Sequence, residues 1–402
     1  MNNEKEIKPD RNGPCPCGKI NPQTGKPMKY KKCCWLKQVP PPSQESIKEA
    51  MDFFMRMEGE KRDLQERGIF INYVRPCPFP DKKTGKMAKA WALGSRVFYP
   101  RPENETFHEF IIDHLRQVMG REWWMEQEQA QQQHFIFKCF LKWNEWMKKN
   151  AVEKNRVGDN LWVADNDGWT KTLISLAFDI CSLEHTLQLP DFLLKRLRNR
   201  AEYQGVHYEI AVAAIFARLG CKVEFLDKTK IQTPHCEFIA THNETGVSIA
   251  VEAKSRQRPG VKHMEGTASR EQLLCGNVKN LKNLIDRAFQ QNPNDKSFIV
   301  FVDINAPLTP EIPVDKKPWF EGVQKIMDDY PAPTPQDPEK YTAIFFTNFS
   351  PHYNGEGKSD PNEYLAVIPQ FSTYPMPNFK FGDMLIKAVQ NYGFVPNIKE
   401  EK

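Results

Sequence analysis

Residues Val247-Ser248-Ile249-Ala250-Val251-Glu252-Ala253-Lys254 decide how this chain is read. Branched and small apolar side chains fill most of the first five positions, as in a buried strand. The period of two puts Val251 and Ala253 on one face and Glu252 and Lys254 on the other. A carboxylate and an ammonium therefore project together from the end of an apolar strand.

Working outward, Tyr203 to Leu219 reads as a helix with Ile210, Ala213, Ala214 and Ala217 on one face and Gly220 at its C-terminal cap. Lys222 to Leu226 and Cys236 to His242 read as strands. After residue 254 come a basic loop, a helix over about Arg270 to Gln290 and a buried strand over Ser297 to Ile304. Runs at Thr342 to Asn348 and Glu363 to Pro369, with a helix over about Phe381 to Gln390, extend the same sheet.

Glu237 lies on the strand before Glu252, and Glu209 on the helix before that. If the two strands pair, Glu237 and Glu252 approach each other as ligands for a hard divalent cation, Mg2+ or Mn2+. Lys254 would then act on a metal-bound water, and Glu209 would add a carboxylate through a water. This chemistry suits phosphodiester hydrolysis, and Arg256, Arg258, Lys262 and His263 form a basic loop suited to a phosphate backbone. The plainer alternative is a surface ion pair between Glu252 and Lys254, which contributes little.

The order helix, strand, acidic strand, Glu-x-Lys strand, helix, strand resembles the restriction-endonuclease-like superfamily, the PD-(D/E)xK nucleases. The resemblance spans roughly Tyr203 to Ile304. It implies a mixed central sheet, with Glu209 as the acid of the first core helix, Glu237 as that of the second strand, and Glu252 with Lys254 as the (D/E)xK pair. The sequence departs at Pro234-His235-Cys236-Glu237, where a glutamate stands in place of the usual Pro-Asp.

The N-terminal end carries a second pattern: Cys15-x-Cys17, fifteen intervening residues, then adjacent Cys33 and Cys34. Two close thiolate pairs joined by a loop suit tetrahedral zinc. A basic segment with few apolar side chains would take most of its folding free energy from the metal. Arg11-Asn12-Gly13-Pro14-Cys15-Pro16-Cys17-Gly18 and Lys29-Tyr30-Lys31-Lys32-Cys33-Cys34 resemble the SEC-C zinc-binding motif, with Ile20 to Met28 as an insertion. That resemblance implies a structural zinc held by Cys15, Cys17, Cys33 and Cys34, in a recruitment module for a ribosome or a protein partner.

Val39-Pro40-Pro41-Pro42-Ser43 makes a stiff linker. Beyond it, Ser46-x-x-Glu49 and Thr106-x-x-Glu109 are capping boxes. The first opens a helix to about Arg67, and the second a helix that stops at Gly120. Ile69 to Val74 and Lys89 to Tyr99 form a hairpin. Arg121 to Asn150 reads as one long aromatic-rich helix, and further helices follow to Arg200. The organisation is then a zinc module over 1–38, a linker over 39–45, a mainly helical domain over 46–200 and a restriction-endonuclease-like α/β domain over 201–402, an α+β multidomain chain.

The 402 residues carry a net charge of +5, and residues 1–40 alone hold nine Lys and Arg against three Asp and Glu. The tail therefore carries +6 and the remainder −1, which points the tail toward an anionic partner. No apolar run reaches the roughly 20 residues of a membrane span, and no secretion signal opens the chain. A cytoplasmic location follows, with the six scattered cysteines as reduced core residues. Nucleic acid is the expected partner. The rival reading is a non-enzymatic adaptor that docks through its zinc tail, and a third is action on a small phosphate-bearing ligand.

Overall fold

The computed structural model describes residues 12–15, 17–22, 24–29, eight helical positions between 44 and 62, and 76–80, 87–102, 104–158, 161–186, 189–226, 235–274, 278–377 and 379–396. The chain forms two compact units, Met1–Asp63 and Leu64–Lys402. Ser46, Glu49, Ile69 to Val74, Cys33 and Cys34 lie outside the described residues.

In the first unit, residues 12–29 fold back on themselves. Pro14 pairs with Lys29 and Ile20 with Pro27 as antiparallel bridges. The Cys15 amide donates to the Met28 carbonyl at 2.8 Å, and the Gly18 amide closes a turn onto the Cys15 carbonyl at 3.0 Å. Gly18 takes φ +70°, a conformation costly for a residue with a Cβ. The stretch Ile20 to Met28 is thus a hairpin tip that completes the Cys15 turn.

The second unit begins with an antiparallel three-stranded sheet, β1 (Pro76–Pro80), β2 (Met87–Leu93) and β3 (Arg96–Arg101). Helix α1 (Phe107–Met119) follows. Thr106 and Glu109 form its capping box and Gly120, at φ +85°, ends it. The long helix expected over Arg121 to Asn150 is two helices, α2 (Arg121–Gln129) and α3 (Phe135–Asn150). His134 is the reason: its side chain caps α3 through the Ile136 amide, and its own amide donates to Gln127 Oε1. A small ribbon of β4 (Arg156–Gly158) and β5 (Leu161–Trp162) leads to α4 (Gly168–Thr186), α5 (Asp191–Arg198) and α6 (Tyr203–Arg218).

Strands β6 (Cys221–Phe225), β7 (Phe238–His242) and β8 (Ser248–Ser255) form an antiparallel meander. Helices α7 (Arg270–Leu274) and α8 (Val278–Phe289) return the chain to β9 (Ser297–Asp303), which runs parallel to β8. Helix α9 (Phe320–Asp328) leads to β10 (Ala343–Asn348), parallel to β9. Then β11 (Glu363–Val367) closes the far edge antiparallel to β10, and α10 (Phe379–Gln390) follows. The result is a mixed six-stranded sheet in the order β11-β10-β9-β8-β7-β6. The chain is α+β, and among the described residues no helix is long and apolar enough to cross a membrane.

Alternation divides the sheet between two cores. Phe238, Val251, Ala253, Phe301 and Phe345 pack with α6 and with helices of the preceding segment. Ala250, Phe298, Val300, Val302 and Phe346 pack with Leu281 and Ile285 of α8 and Val323 and Ile326 of α9. Phe216 of α6 meets Phe238 and Phe301 edge-on at 5.7 and 6.0 Å, and Phe301 stacks on Phe345 at 4.9 Å.

The first core corrects the expected boundary at residue 200. Trp91, Phe107, Ile111, Leu176 and Leu197 belong to the same apolar cluster as α6 and the sheet. The buried Arg218–Asp179 pair joins α6 to α4 at 2.8 Å, and the Tyr392 hydroxyl donates to Asp179 at 2.6 Å. Residues 64–200 and 201–402 therefore lie in one compact unit. An amphipathic helix shows in sequence that it has an apolar face, but not what that face meets.

Candidate active site

Strand β8 carries the Glu-x-Lys pair as its alternation requires. Val251 and Ala253 enter the α6-side core, whereas Glu252 shares the parity of Ala250, which faces α8. Glu252 is fully buried, and Lys254 is mostly so. The Lys254 ammonium pairs with Glu252 Oε1 and donates to Gln291 Oε1, just beyond α8. An ionised carboxylate at this depth is stable only with such a partner.

Glu237 enters from the neighbouring strand. Phe238 pairs with Val251, and the Glu237 amide donates to the Val251 carbonyl at 3.1 Å, which sets Glu237 beside the backbone next to Glu252. Burial pushes the Cys236 thiol up to about 12, and both Glu252 and Glu237 add to that shift. With Phe238 opposite Val251, Glu237 and Glu252 lie opposite each other on neighbouring chain segments.

Glu209 has a partner of its own. It projects from α6, which covers the opposite face of the sheet, and Arg196 of α5 holds it at 2.6 and 2.8 Å. Arg196 also donates to Glu202 at 3.0 Å and feels the charge of Glu237. The structure pairs Lys254 with Glu252 and sets Glu237 opposite Glu252 in register, while Arg196 holds Glu209 and feels the charge of Glu237.

Among the described residues, no three His, Cys, Asp or Glu side chains converge as a metal-binding group. Two carboxylates nonetheless suit Mg2+, which keeps several waters and takes one or two protein carboxylates. Glu237 and Glu252 are the pair that would hold such an ion.

The basic loop after β8 does not face solvent. Arg256, Arg258 and Lys262 are 3, 6 and 7 % exposed. Arg258 donates to the backbone carbonyls of Asn305 and Leu273, and His263 accepts from the Phe135 amide at 2.8 Å. These cations are therefore not arrayed on the surface to track a polymer backbone. Arg258 and the Arg256 carbonyl meet Asn305, just beyond Asp303 at the carboxyl end of β9, and hydropathy alone singles out neither Asp303 nor Asn305. The available signal was the polar Asp303-x-Asn305 placed directly after an apolar strand, at the sheet edge where ligands gather in open α/β folds.

In the N-terminal unit, Cys15 is buried, Cys17 is exposed, and neither is in a disulfide. Their sulfur atoms lie 3.3 Å apart. Thiolates on one tetrahedral zinc sit about 3.7 Å apart, so this turn presents two sulfurs at nearly the required separation.

Compared with models of protein families, with curated proteins and with solved structures, the chain matches none.

Proposed function

We propose that this chain is a zinc-binding protein of the SEC-C type whose second unit is a restriction-endonuclease-like, Mg2+- or Mn2+-dependent phosphodiester hydrolase acting on nucleic acid. The observation that carries the reading is the strand register that sets Glu237 opposite Glu252, with the Lys254 ammonium paired to Glu252. The order α6, β6, β7, β8, helix, β9 on a mixed sheet supports it.

In this reading Glu237 and Glu252 hold the divalent ion, which lowers the pKa of a bound water and neutralises phosphate charge. Lys254, oriented by Gln291, sits two residues from the ligand, where it orients that water or the phosphate oxygen. Glu209 acts at one remove, by holding Arg196. In the N-terminal unit, Cys15, Cys17, Cys33 and Cys34 hold a structural zinc, and the basic tail recruits the chain to nucleic acid, a ribosome or a protein partner in the cytoplasm.

One observation favours the adaptor reading. The Glu252–Lys254–Gln291 contact is closed and mostly buried, as expected of a structural ion pair in an inactive fold. Calorimetric titration with Mn2+ separates the two. The hydrolase reading requires saturable binding that weakens at least tenfold in Glu252→Gln and Glu237→Gln. Binding unaffected by both substitutions would contradict it.

A further inference from the structure

A cleft of about 220 Å³ opens between the end of α8 and the loop that joins α9 to β10. Phe289 and Asn292 line it from the α8 side, and Asp337, Glu339 and Tyr341 from the loop. Sites for drug-sized ligands span roughly 300–1,000 Å³, so a cleft of this size suits a single side chain.

The walls are held by contacts of their own. The Phe289 and Tyr341 rings stack at 5.2 Å with 9° between their planes, and Tyr330 meets Phe289 edge-on at 5.7 Å. Pro331, Pro333 and Pro338 complete the lining and restrict the backbone of the loop. The Glu339 amide donates to the Phe371 carbonyl at 3.0 Å, and the Glu339 carbonyl accepts from the Thr373 amide at 2.8 Å. Asn292 Nδ2 donates to the Lys340 carbonyl at 2.7 Å and so joins the two sides. A cleft fixed in this way loses little freedom when it is filled.

Ring and proline surface is combined here with two carboxylates. Among the described residues, neither the Asp337 nor the Glu339 carboxylate accepts a hydrogen bond or forms an ion pair. Lys340, also in the lining, is exposed and pairs with neither. Glu339 is half-buried; burial raises its carboxyl above the ordinary value, and the charge of Asp337 adds to the rise. A partly desolvated carboxylate beside a like charge is stabilised by a cation. A hard metal ion takes oxygen ligands and waters around it, whereas rings and prolines form much of this lining. A guanidinium is more weakly hydrated than an ammonium, stacks on aromatic surface and meets a carboxylate through paired N–H groups. A free amino acid would bring its own carboxylate toward Asp337 and Glu339; an arginine within a polypeptide would not.

We propose that this cleft binds the guanidinium of an arginine side chain presented by a partner polypeptide, with Glu339 as its ion-pair partner, Asp337 at the rim and the Phe289–Tyr341 stack as its apolar wall. The site stands independently of the hydrolase reading, since it uses none of Glu237, Glu252 and Lys254.

The test is saturation-transfer NMR of the full chain with the blocked tripeptide acetyl-Gly-Arg-Gly-amide, beside the same tripeptide carrying lysine or the uncharged isostere citrulline, and beside free arginine. Wild-type protein is expected to bind the arginine tripeptide saturably, the lysine tripeptide and free arginine more weakly, and the citrulline tripeptide at least tenfold more weakly. Glu339→Gln is expected to weaken the arginine tripeptide at least tenfold, and Asp337→Asn to weaken it less. Neither carboxylate holds a contact in the fold, so both variants should melt with wild type. The citrulline comparison on wild-type protein keeps the test decisive if a variant does not fold. No saturable binding of the arginine tripeptide, equal binding of the citrulline tripeptide, or undiminished binding in folded Glu339→Gln protein would overturn the site. Free arginine binding as tightly as the blocked tripeptide would overturn the assignment to a polypeptide.

Discussion

Arg196 grips Glu209 with two hydrogen bonds, Nη1 to Oε2 at 2.6 Å and Nη2 to Oε1 at 2.8 Å, so the last turn of α5 is fastened to the first half of α6. Glu209 is almost wholly buried and Arg196 partly exposed. Truncating the arginine takes two charge-assisted hydrogen bonds from a buried carboxylate, which is more harmful than removing both partners. Arg196→Ala should lower unfolding stability by about 2–3 kcal/mol in urea. The double variant Arg196→Met, Glu209→Leu should recover most of that loss. Equal losses in the single and double variants would show that the pair itself is not the source.

The shared core predicts that residues 64–402 unfold together. Phe107 is fully buried and meets Phe178 of α4 edge-on at 6.2 Å, within the cluster that reaches β9 and β10. Phe107→Ala should cost about 3–5 kcal/mol. Tryptophan fluorescence and far-ultraviolet dichroism should still report one coincident transition. Two separated transitions would restore a domain boundary near residue 200.

Acid should destabilise the protein through its buried histidines. Burial lowers His114 to about 4, His134 to about 3 and His263 to about 4, from an ordinary 6.5. Because these folded-state values are depressed, the unfolded chain binds protons first. Stability is complete above about pH 6.5 and falls as pH drops toward 4. Asp179 and Asp303, raised by burial to about 6, oppose this slope, since they take protons more readily when folded. The histidines outnumber them. His114 makes the cleanest probe: both ring nitrogens lack partners, and the ring packs edge-on against Phe98 at 5.4 Å. His114→Phe should remove up to about 3 kcal/mol of the loss between pH 6.5 and 4. An unchanged acid limb would refute this assignment.

Metal analysis should find about one zinc per chain, absent from Cys15→Ser, Cys17→Ser protein. Chelation should unfold residues 12–29, seen as loss of amide protection at Cys15 and Gly18, whose hydrogen bonds hold the turn. Full protection after chelation would show that the turn stands without a metal.

The sequence revealed those elements whose signals are local. Thr106 with Glu109 and the following Gly120 bounded α1, and the alternation of Val251 to Lys254 put Glu252 and Lys254 opposite the α6-side core. What it concealed depended on partners far along the chain. The basic loop reads as solvent-facing because Arg, Lys and His are polar, yet Arg256, Arg258 and Lys262 are buried, with Arg258 and the Arg256 carbonyl bonded to Asn305, over 40 residues later. Glu209 has suitable spacing to join Glu237 and Glu252, but spacing along the chain does not report that Arg196 claims it from the other face of the sheet. Lys317 and Glu363 were invisible for the same reason. They form a buried pair at 2.7 Å to which Trp319 and Asn348 also donate, and the four residues come from three separate segments.

The most direct measurement of the central claim is cleavage of end-labelled DNA and RNA by the purified full chain in Mg2+ or Mn2+, beside Glu252→Gln and Lys254→Ala proteins shown to be folded. The account predicts metal-dependent cleavage by wild type, abolished by chelation and reduced at least a hundredfold in both variants. Equal cleavage by all three proteins, or none by folded, metal-loaded wild type on either nucleic acid, would contradict it.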